Sequence, residues 1–162
     1  MIDFVFSDVL EGDGTYDNRG GLDYHIPVEN KTMKADPLHV VHIAVEMAPI
    51  CKVGGLGDVV TSLSRAVKDM NNLVEVIVPR YSFFGSSPLL GNSTLETEFD
   101  WGGTRIYVTT CVVEGLRCFF IEPKNGFFDG DFVYGGRGDD VRFDFFCKVL
   151  LGSCVWLWHR LY

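Results

Sequence analysis

An α/β fold organised around a parallel strand–helix–strand unit is what this sequence predicts, on three observations. Val40, Val41, Ile43, Ala44 and Val45 form a near-continuous apolar run, the pattern of a parallel strand covered on both faces. The period then changes: Val59, Val60, Leu63, Ala66, Val67 and Met70 recur every three to four residues and make one apolar helix face, with Thr61, Ser62, Arg65, Lys68 and Asp69 on the other. A second apolar run, Val74 to Val78, follows. Strand, helix and strand in about forty residues form a right-handed βαβ unit, and ligands of such sheets sit beyond the carboxyl ends of the strands.

Taken in order, residues 1–28 read as short strands and turns. Phe4 and Phe6 alternate with Asp3, Val5 and Ser7, and Tyr24, Ile26 and Val28 share one face of a second strand. Glu11-Gly12-Asp13-Gly14 and Asn18-Arg19-Gly20-Gly21 are turn clusters. A β-sandwich needs about seven strands, so this segment cannot build a core of its own. Phe4, Phe6 and Tyr24 suit core positions better than sugar-stacking ones. Residues 29–37 are polar, end in Pro37 and read as a linker.

The first strand of the βαβ unit is read over Leu38 to Val45 and its helix over Asp58 to Met70. Asp58 in the first turn suits the helix dipole, and Asn71-Asn72 marks the exit. Residues 82–100 read as loop. Arg105 to Val113 and Leu116 to Ile121 form a hairpin around Glu114-Gly115, whose Arg105 and Arg117 are hairpin charges. Asn125 to Gly138 is rich in glycine and aromatics, and a helix starts near Val141, weakened by Gly152.

Composition narrows the function classes. The 162 residues suffice for one domain, and 47% hydrophobic with 22% charged residues is ordinary for a chain that buries a core. A net charge of −8 without a basic cluster excludes nucleic acid as the natural partner. No signal peptide, transit peptide or membrane span is visible, and the apolar run Val149 to Trp158 is too short to cross a bilayer. The five cysteines, Cys51, Cys111, Cys118, Cys147 and Cys154, show no metal-binding spacing and read as reduced thiols. Cys51, beside Lys52, is the one candidate for a lowered pKa. His39 and His42 share a strand with no third ligand in sight, so they read as structural.

The chemistry concentrates in Lys52-Val53-Gly54-Gly55-Leu56-Gly57-Asp58, between strand and helix. Glycines let main-chain N–H groups approach a ligand, and a helix start carries unpaired N–H groups and about half a positive charge. An anion, typically a phosphate, is the favoured ligand, and Lys52 adds a full positive charge. A P-loop would place its lysine after the last glycine, before Ser or Thr, whereas Asp58 stands there. A dinucleotide fingerprint would need a glycine where Val60 stands. Outside such a motif Lys52 would be a solvated surface lysine, and Glu46 and Asp58 would be capping or turn residues.

The wider run from His39 to Val60, with Glu46-Met47-Ala48-Pro49 and Lys52 to Asp58, resembles the start of the catalytic domain of plant starch synthases, relatives of bacterial glycogen synthase. The resemblance continues through Ser62 to Ala66, Val78 to Tyr81, Trp101 to Thr104, Val113 to Leu116, Phe120 to Gly126 and Arg142 to Cys147. It is nearest to the type III group, because Asp3 to Ser7 and Tyr16 to Val28 look like the end of a starch-binding module. It implies four segments: residues 1–28 as an incomplete carbohydrate-binding module of β-sandwich type, 29–37 as linker, 38–147 as the start of the catalytic domain and 148–162 as a divergent tail.

That likeness implies the N-terminal Rossmann-like half of a GT-B glycosyltransferase. The implied reaction transfers glucose from ADP-glucose to the non-reducing end of an α-1,4-glucan (starch), with retention, in a plastid. It implies no metal and no cofactor, because positive side chains and helix dipoles neutralise the departing diphosphate. Lys52 matches the lysine at the donor phosphates, and Gly54 and Gly55 match the backbone that approaches them. Asp58 matches the acidic residue that orients the loop or a sugar hydroxyl, Glu46 a strand-end glutamate near the glucan or the loop, and Asp139 an aspartate of the sugar pocket. No complete catalytic set is expected in this chain, which does not show the family's second nucleotide-binding domain or its His-Asp-Trp segment. It is therefore expected to be inactive alone. The alternatives are a non-catalytic glucan-binding or regulatory fragment, or a piece that associates with full-length synthase.

Overall fold

The computed structural model describes residues 2–4, 6–7, 16–17, 24–26, 36–136 and 138–161. The chain separates into two compact units, Met1–Asp36 and Pro37–Tyr162. In the first, β1 (Ile2–Phe4) pairs antiparallel with β4 (Tyr24–Ile26), and β2 (Phe6–Ser7) with β3 (Tyr16–Asp17). The turn clusters at 11–14 and 18–21, Val28 and most of the linker lie outside the described residues.

The second unit is a five-stranded mixed sheet in the order β5-β6-β9-β8-β7. Its strands are β5 (His39–Ile43), β6 (Leu73–Pro79), β7 (Thr94–Trp101), β8 (Thr104–Val113) and β9 (Leu116–Pro123). β5, β6 and β9 run parallel, while β7, β8 and β9 form an antiparallel meander. Helix α1 (Gly55–Asp69) joins β5 to β6, and α2 (Asp139–Leu161) closes the chain. No helix among the described residues is long and apolar enough to cross a membrane.

The βαβ unit and the hairpin form as expected, with differences at the strands and in the helix. β5 leaves the ladder after Ile43, and its burial is only partial because it is the sheet's edge; β6 is the strand buried along nearly its whole length. The stretch read as loop contains two short 3-10 turns and the strand β7. β7 is the opposite edge and mostly exposed, so it carries polar residues and little apolar alternation. Two-residue turns with positive φ at both positions, Gly102-Gly103 and Glu114-Gly115, close the two hairpins in the twist-compatible form.

The helix differs in the face it buries. Val60 is buried and Val67 half-buried, but Val59, Leu63 and Met70 are 57%, 51% and 76% exposed, while Thr61, expected on the polar face, and Ser64, assigned to neither face, are inside. Hydrogen bonds account for this rotation. Thr61 Oγ1 donates to the Ala48 carbonyl at 2.6 Å, and Ser64 Oγ pairs with His42 Nδ1 at 2.7 Å. Small, satisfied polar groups let the helix lie close to the sheet where bulkier residues would hold it off. At the exit Asn71 takes the left-handed conformation (φ 66°), and Asn72 ties the helix end to the start of β5, donating to the Val67 carbonyl and accepting the Leu38 N–H.

Helix α2 begins at Asp139 and continues through Gly152. Gly152 has a packing reason: a Cβ there would sit 1.9 Å from Trp101 Cη2.

Candidate functional site

Three loops leave the carboxyl ends of the parallel strands β5, β6 and β9 and gather at that end of the sheet. Tyr81, after β6, donates its hydroxyl to the Val45 carbonyl at 2.9 Å, and the Ser82 N–H bonds the Phe128 carbonyl at 2.9 Å. The Tyr81, Phe84 and Phe128 rings meet edge to face beneath them. The loops thus stand on a packed aromatic floor.

After β5 the chain makes a small closed ring. The Met47 and Cys51 amides exchange hydrogen bonds of 3.1 and 2.9 Å, with a cis Ala48-Pro49 peptide between them, and both side chains are buried. This ring lays Val53 and Gly54 over Glu46, whose side chain is shut away from water (2% exposed). Glu46 Oε2 accepts the Val53 N–H at 2.9 Å and the Gly54 N–H at 3.0 Å. Tyr134 and the Gly57 backbone lie near enough to favour its charged form as well. Burial pushes the Glu46 carboxyl up, but these donors together outweigh it and hold it below its ordinary 4.5. Glu46 is therefore a buried anion around which the glycine loop is wrapped.

The glycines divide into two kinds. Gly57 is hemmed in, since a Cβ would stand 3.4 Å from Glu46 Oε2, the Ala48 nitrogen and Lys52 Cα. Gly54 and Gly55 face open space, and no side chain caps the helix that starts there. Bare main chain at a helix start is thereby presented outward. Lys52 Nζ lies 2.7 Å from Asp58 Oδ2, and both side chains are about half exposed (50% and 53%). In water such a pair is weak, so the ammonium remains available to a stronger anion.

Opposite this loop stands the segment Asp131 to Tyr134, and a cavity of about 450 Å³ lies between, lined by Ile50, Lys52, Val53, Phe83, Phe132 and Tyr134. Asp139 sits at the first turn of α2, where Oδ2 accepts the Gly135 N–H at 2.9 Å and Oδ1 accepts Arg142 Nε at 2.9 Å. The buried Arg142 guanidinium also bonds the Val133 carbonyl and lies 4.6 Å from the Phe143 ring centre. Asp139 thus shapes the far wall of the cavity.

The structure brings Glu46, Lys52, Gly54, Gly55 and Asp58 together on one loop and places Asp139 at the base of the facing segment. Tyr134 is the functional candidate that motif reading missed; its only signal was its position in the glycine- and aromatic-rich stretch 125–138. Cys51 corrects an expectation, because burial raises its thiol to about 11 and removes the reactivity its neighbour Lys52 suggested. His39 pairs with Glu75 at 2.8 Å and His42 with Ser64, structural roles for both. Arg105 and Arg117 pair with hairpin and sheet carboxylates, as expected of them. No group of side chains suited to a metal ion occurs among the described residues.

A family model described as the starch synthase catalytic domain matches residues 39–160, past the point near Cys147 where recognisable motifs stop. The chain is 54% identical over 151 residues to soluble starch synthase 3a, chloroplastic/amyloplastic, of Oryza sativa subsp. japonica, covering 93% of this chain and 8% of the relative. It is 42% identical over 120 residues to glycogen synthase 1 of Nitrosococcus oceani, covering 70% of this chain and 24% of that protein. Among solved structures it is similar to the catalytic domain of starch synthase IV from Arabidopsis thaliana bound to ADP and acarbose, with a TM-score of 0.63 and 39% identity, covering 72% of this chain and 26% of that one. The chain therefore spans a quarter or less of the curated relatives named here.

Proposed function

The chain belongs to the starch synthase catalytic domain family, and on that premise we propose that its glycine loop binds the diphosphate of ADP-glucose and serves glucose transfer to the non-reducing end of an α-1,4-glucan, with retention. The observation that carries this reading is the cavity of about 450 Å³ bordered by Lys52, with the uncapped start of α1 and the open faces of Gly54 and Gly55 beside it. Lys52 Nζ swings from Asp58 to the phosphates, which approach the bare backbone of the Gly54–Gly55 turn and meet the N–H groups of the first turn of α1. Asp58 then sets the loop or a sugar hydroxyl, Glu46 holds the loop from inside, and Asp139 supports the sugar pocket through Gly135 and Arg142. The solved relative bound to ADP and acarbose supports the choice of donor and glucan.

Residues 1–28 are proposed as the end of a carbohydrate-binding module, 29–37 as linker, 38–147 as the beginning of the catalytic domain and 148–162 as a tail. A plastid location is proposed with them, supported by the chloroplastic/amyloplastic names of the relatives. The 162 residues by themselves are proposed to bind the donor nucleotide without turning it over. Titration calorimetry with ADP tests the reading. A charge-assisted phosphate contact corresponds to about 1.5–3 kcal/mol, so Lys52→Met is expected to weaken ADP roughly 10- to 100-fold. Equal affinity for both proteins would refute it.

A second reading, association with full-length synthase, is favoured by the exposed stripe Leu56, Val59, Leu63 and Met70 on α1. Co-sedimentation with a full-length starch synthase tests it, and a chain that stays monomeric and alone refutes it.

A further inference from the structure

We propose that Phe132 is a glucan-binding residue, a fixed platform on which a pyranose ring stacks between two cavities. One is the cavity of about 450 Å³ beside Lys52. The other, of about 380 Å³, is lined by Phe127, Phe132, Arg142 and glycines of the 126–138 stretch. Both fall within the size of small-ligand pockets, about 300–1,000 Å³. Phe132 is the residue that lines both. Its ring is gripped at the edge. A Cβ at Gly136 would stand 2.5 Å from Cε2 and 3.0 Å from Cζ, and one at Gly130 would stand 3.2 Å from Cε1 and Cζ. Bare backbone at both positions is what lets the ring sit there. The Arg142 guanidinium lies over the ring, 5.6 Å from its centre, and is itself buried. Phe132 nevertheless stays 47% exposed. It is a seated apolar surface left in water.

The surroundings select the ligand. Asp139 lies 2.8 Å from Arg142 Nη2 and offsets its charge, so the second cavity suits a neutral molecule rather than the anion that Lys52 suits. Among the described residues, the hydrogen bonds of this guanidinium leave from Nε and Nη2, to Asp139 and the Val133 carbonyl. The Nη1 donors are left for a ligand hydroxyl. A pyranose meets both demands. Its C–H groups suit the negative face of an aromatic ring, and its hydroxyls suit the guanidinium and the glycine backbone. A glucan is a row of such rings, and one that starts beside Lys52 passes Phe132 to reach the second cavity. The proposal rests on the glucan part of the proposed function and adds to it a residue and a second pocket.

Maltotriose and ADP are titrated separately into the isotope-labelled whole chain, and amide shifts are followed by nuclear magnetic resonance. In the wild type, maltotriose is expected to move the Gly130 and Gly136 amides. Phe132→Ala is expected to weaken maltotriose about tenfold and to leave ADP affinity within about twofold. Gly136→Ala retains the phenyl ring but pushes it from its seat, and is expected to weaken maltotriose as well. Maltotriose that leaves Gly130 and Gly136 unmoved overturns the platform, as does unchanged sugar affinity in either variant. An equal loss of both ligands in Phe132→Ala marks a collapsed wall and overturns it too. Wild-type protein that fails to bind ADP removes the nucleotide reading, and the maltotriose result still decides the platform.

Discussion

Replacing Gly152 with alanine sets two effects of opposite sign against each other. Glycine inside a helix is less favourable than alanine by about 1 kcal/mol, so Gly152→Ala in α2 would stabilise the protein on propensity alone. The structure opposes this. A Cβ at 152 would lie 1.9 Å from Trp101 Cη2, 2.1 Å from Cζ3 and 2.8 Å from Cζ2. Carbon atoms in contact want about 3.5–4.0 Å, so the indole edge must retreat by about 1.5–2 Å. Trp101 is packed on the core from the end of β7, and moving it costs the usual overpacking penalty of about 1–3 kcal/mol. With two ring atoms near 2 Å, the upper part of that range applies and the net change is a loss of about 1–2 kcal/mol. Urea unfolding followed by circular dichroism measures it. In a Trp101→Leu background the obstacle is gone, and the same Gly152→Ala change is expected to stabilise by up to about 1 kcal/mol. A raised urea midpoint for Gly152→Ala with Trp101 intact would refute the packing argument.

Other outcomes follow from the site. Glu46 has a folded pKa below its ordinary value, so its stabilisation is complete above about pH 4.5 and is lost as pH falls through the lower folded value. The groups that face it, Tyr134, Cys51 and Tyr81, have raised values and stay neutral in acid, so the melting-temperature gap between wild type and Glu46→Gln is expected to narrow below about pH 4; a gap constant down to pH 3 contradicts this. Thr61→Val removes a buried hydroxyl that donates to Ala48 and is expected to cost about 1–2 kcal/mol in urea unfolding, whereas an unchanged midpoint would mean the helix does not need that bond. Iodoacetamide at neutral pH is expected to modify exposed Cys147 well before buried Cys51 and Cys118, as peptide mass spectrometry would show; early labelling of Cys51 contradicts its raised thiol.

How much of this was legible beforehand depended on whether a residue's role is local. The βαβ unit, the Glu114-Gly115 turn and the Asn71 exit rest on periodicity and on residues that tolerate positive φ, and these appear directly in the chain. The glycine loop and Lys52 were recognisable because a motif fixes their spacing. Strand β7 was hidden, since an exposed edge strand needs few apolar residues. The buried face of α1 was misjudged because Thr61 and Ser64 are inside only by virtue of hydrogen bonds to Ala48 and His42, partners brought near by the fold. Tyr134 escaped notice for the same reason: the fold, not the chain order, brings it to the cavity that Lys52 and Val53 line. Gly152, read as a weakness of the helix, is where Trp101 fits.

The sheet is built from two kinds of pairing, and this bears on the sequence of events by which the chain acquires its shape. β7, β8 and β9 are consecutive and joined by two-residue turns, so they can zip together within microseconds, on the order of a hairpin's formation time. β5 and β6 must wait for a helix to form between them and for β6 to find β9 across the intervening meander. We expect pulse-labelling during refolding to protect Cys118 and Val108 before Val41; the reverse order would argue against it. The half that assembles quickly would then be a platform, and the half that arrives late would carry the ligand loop. Late-forming, edge-located structure yields first to small perturbations, so the nucleotide end of this molecule would be its most adjustable part and the meander its most stubborn.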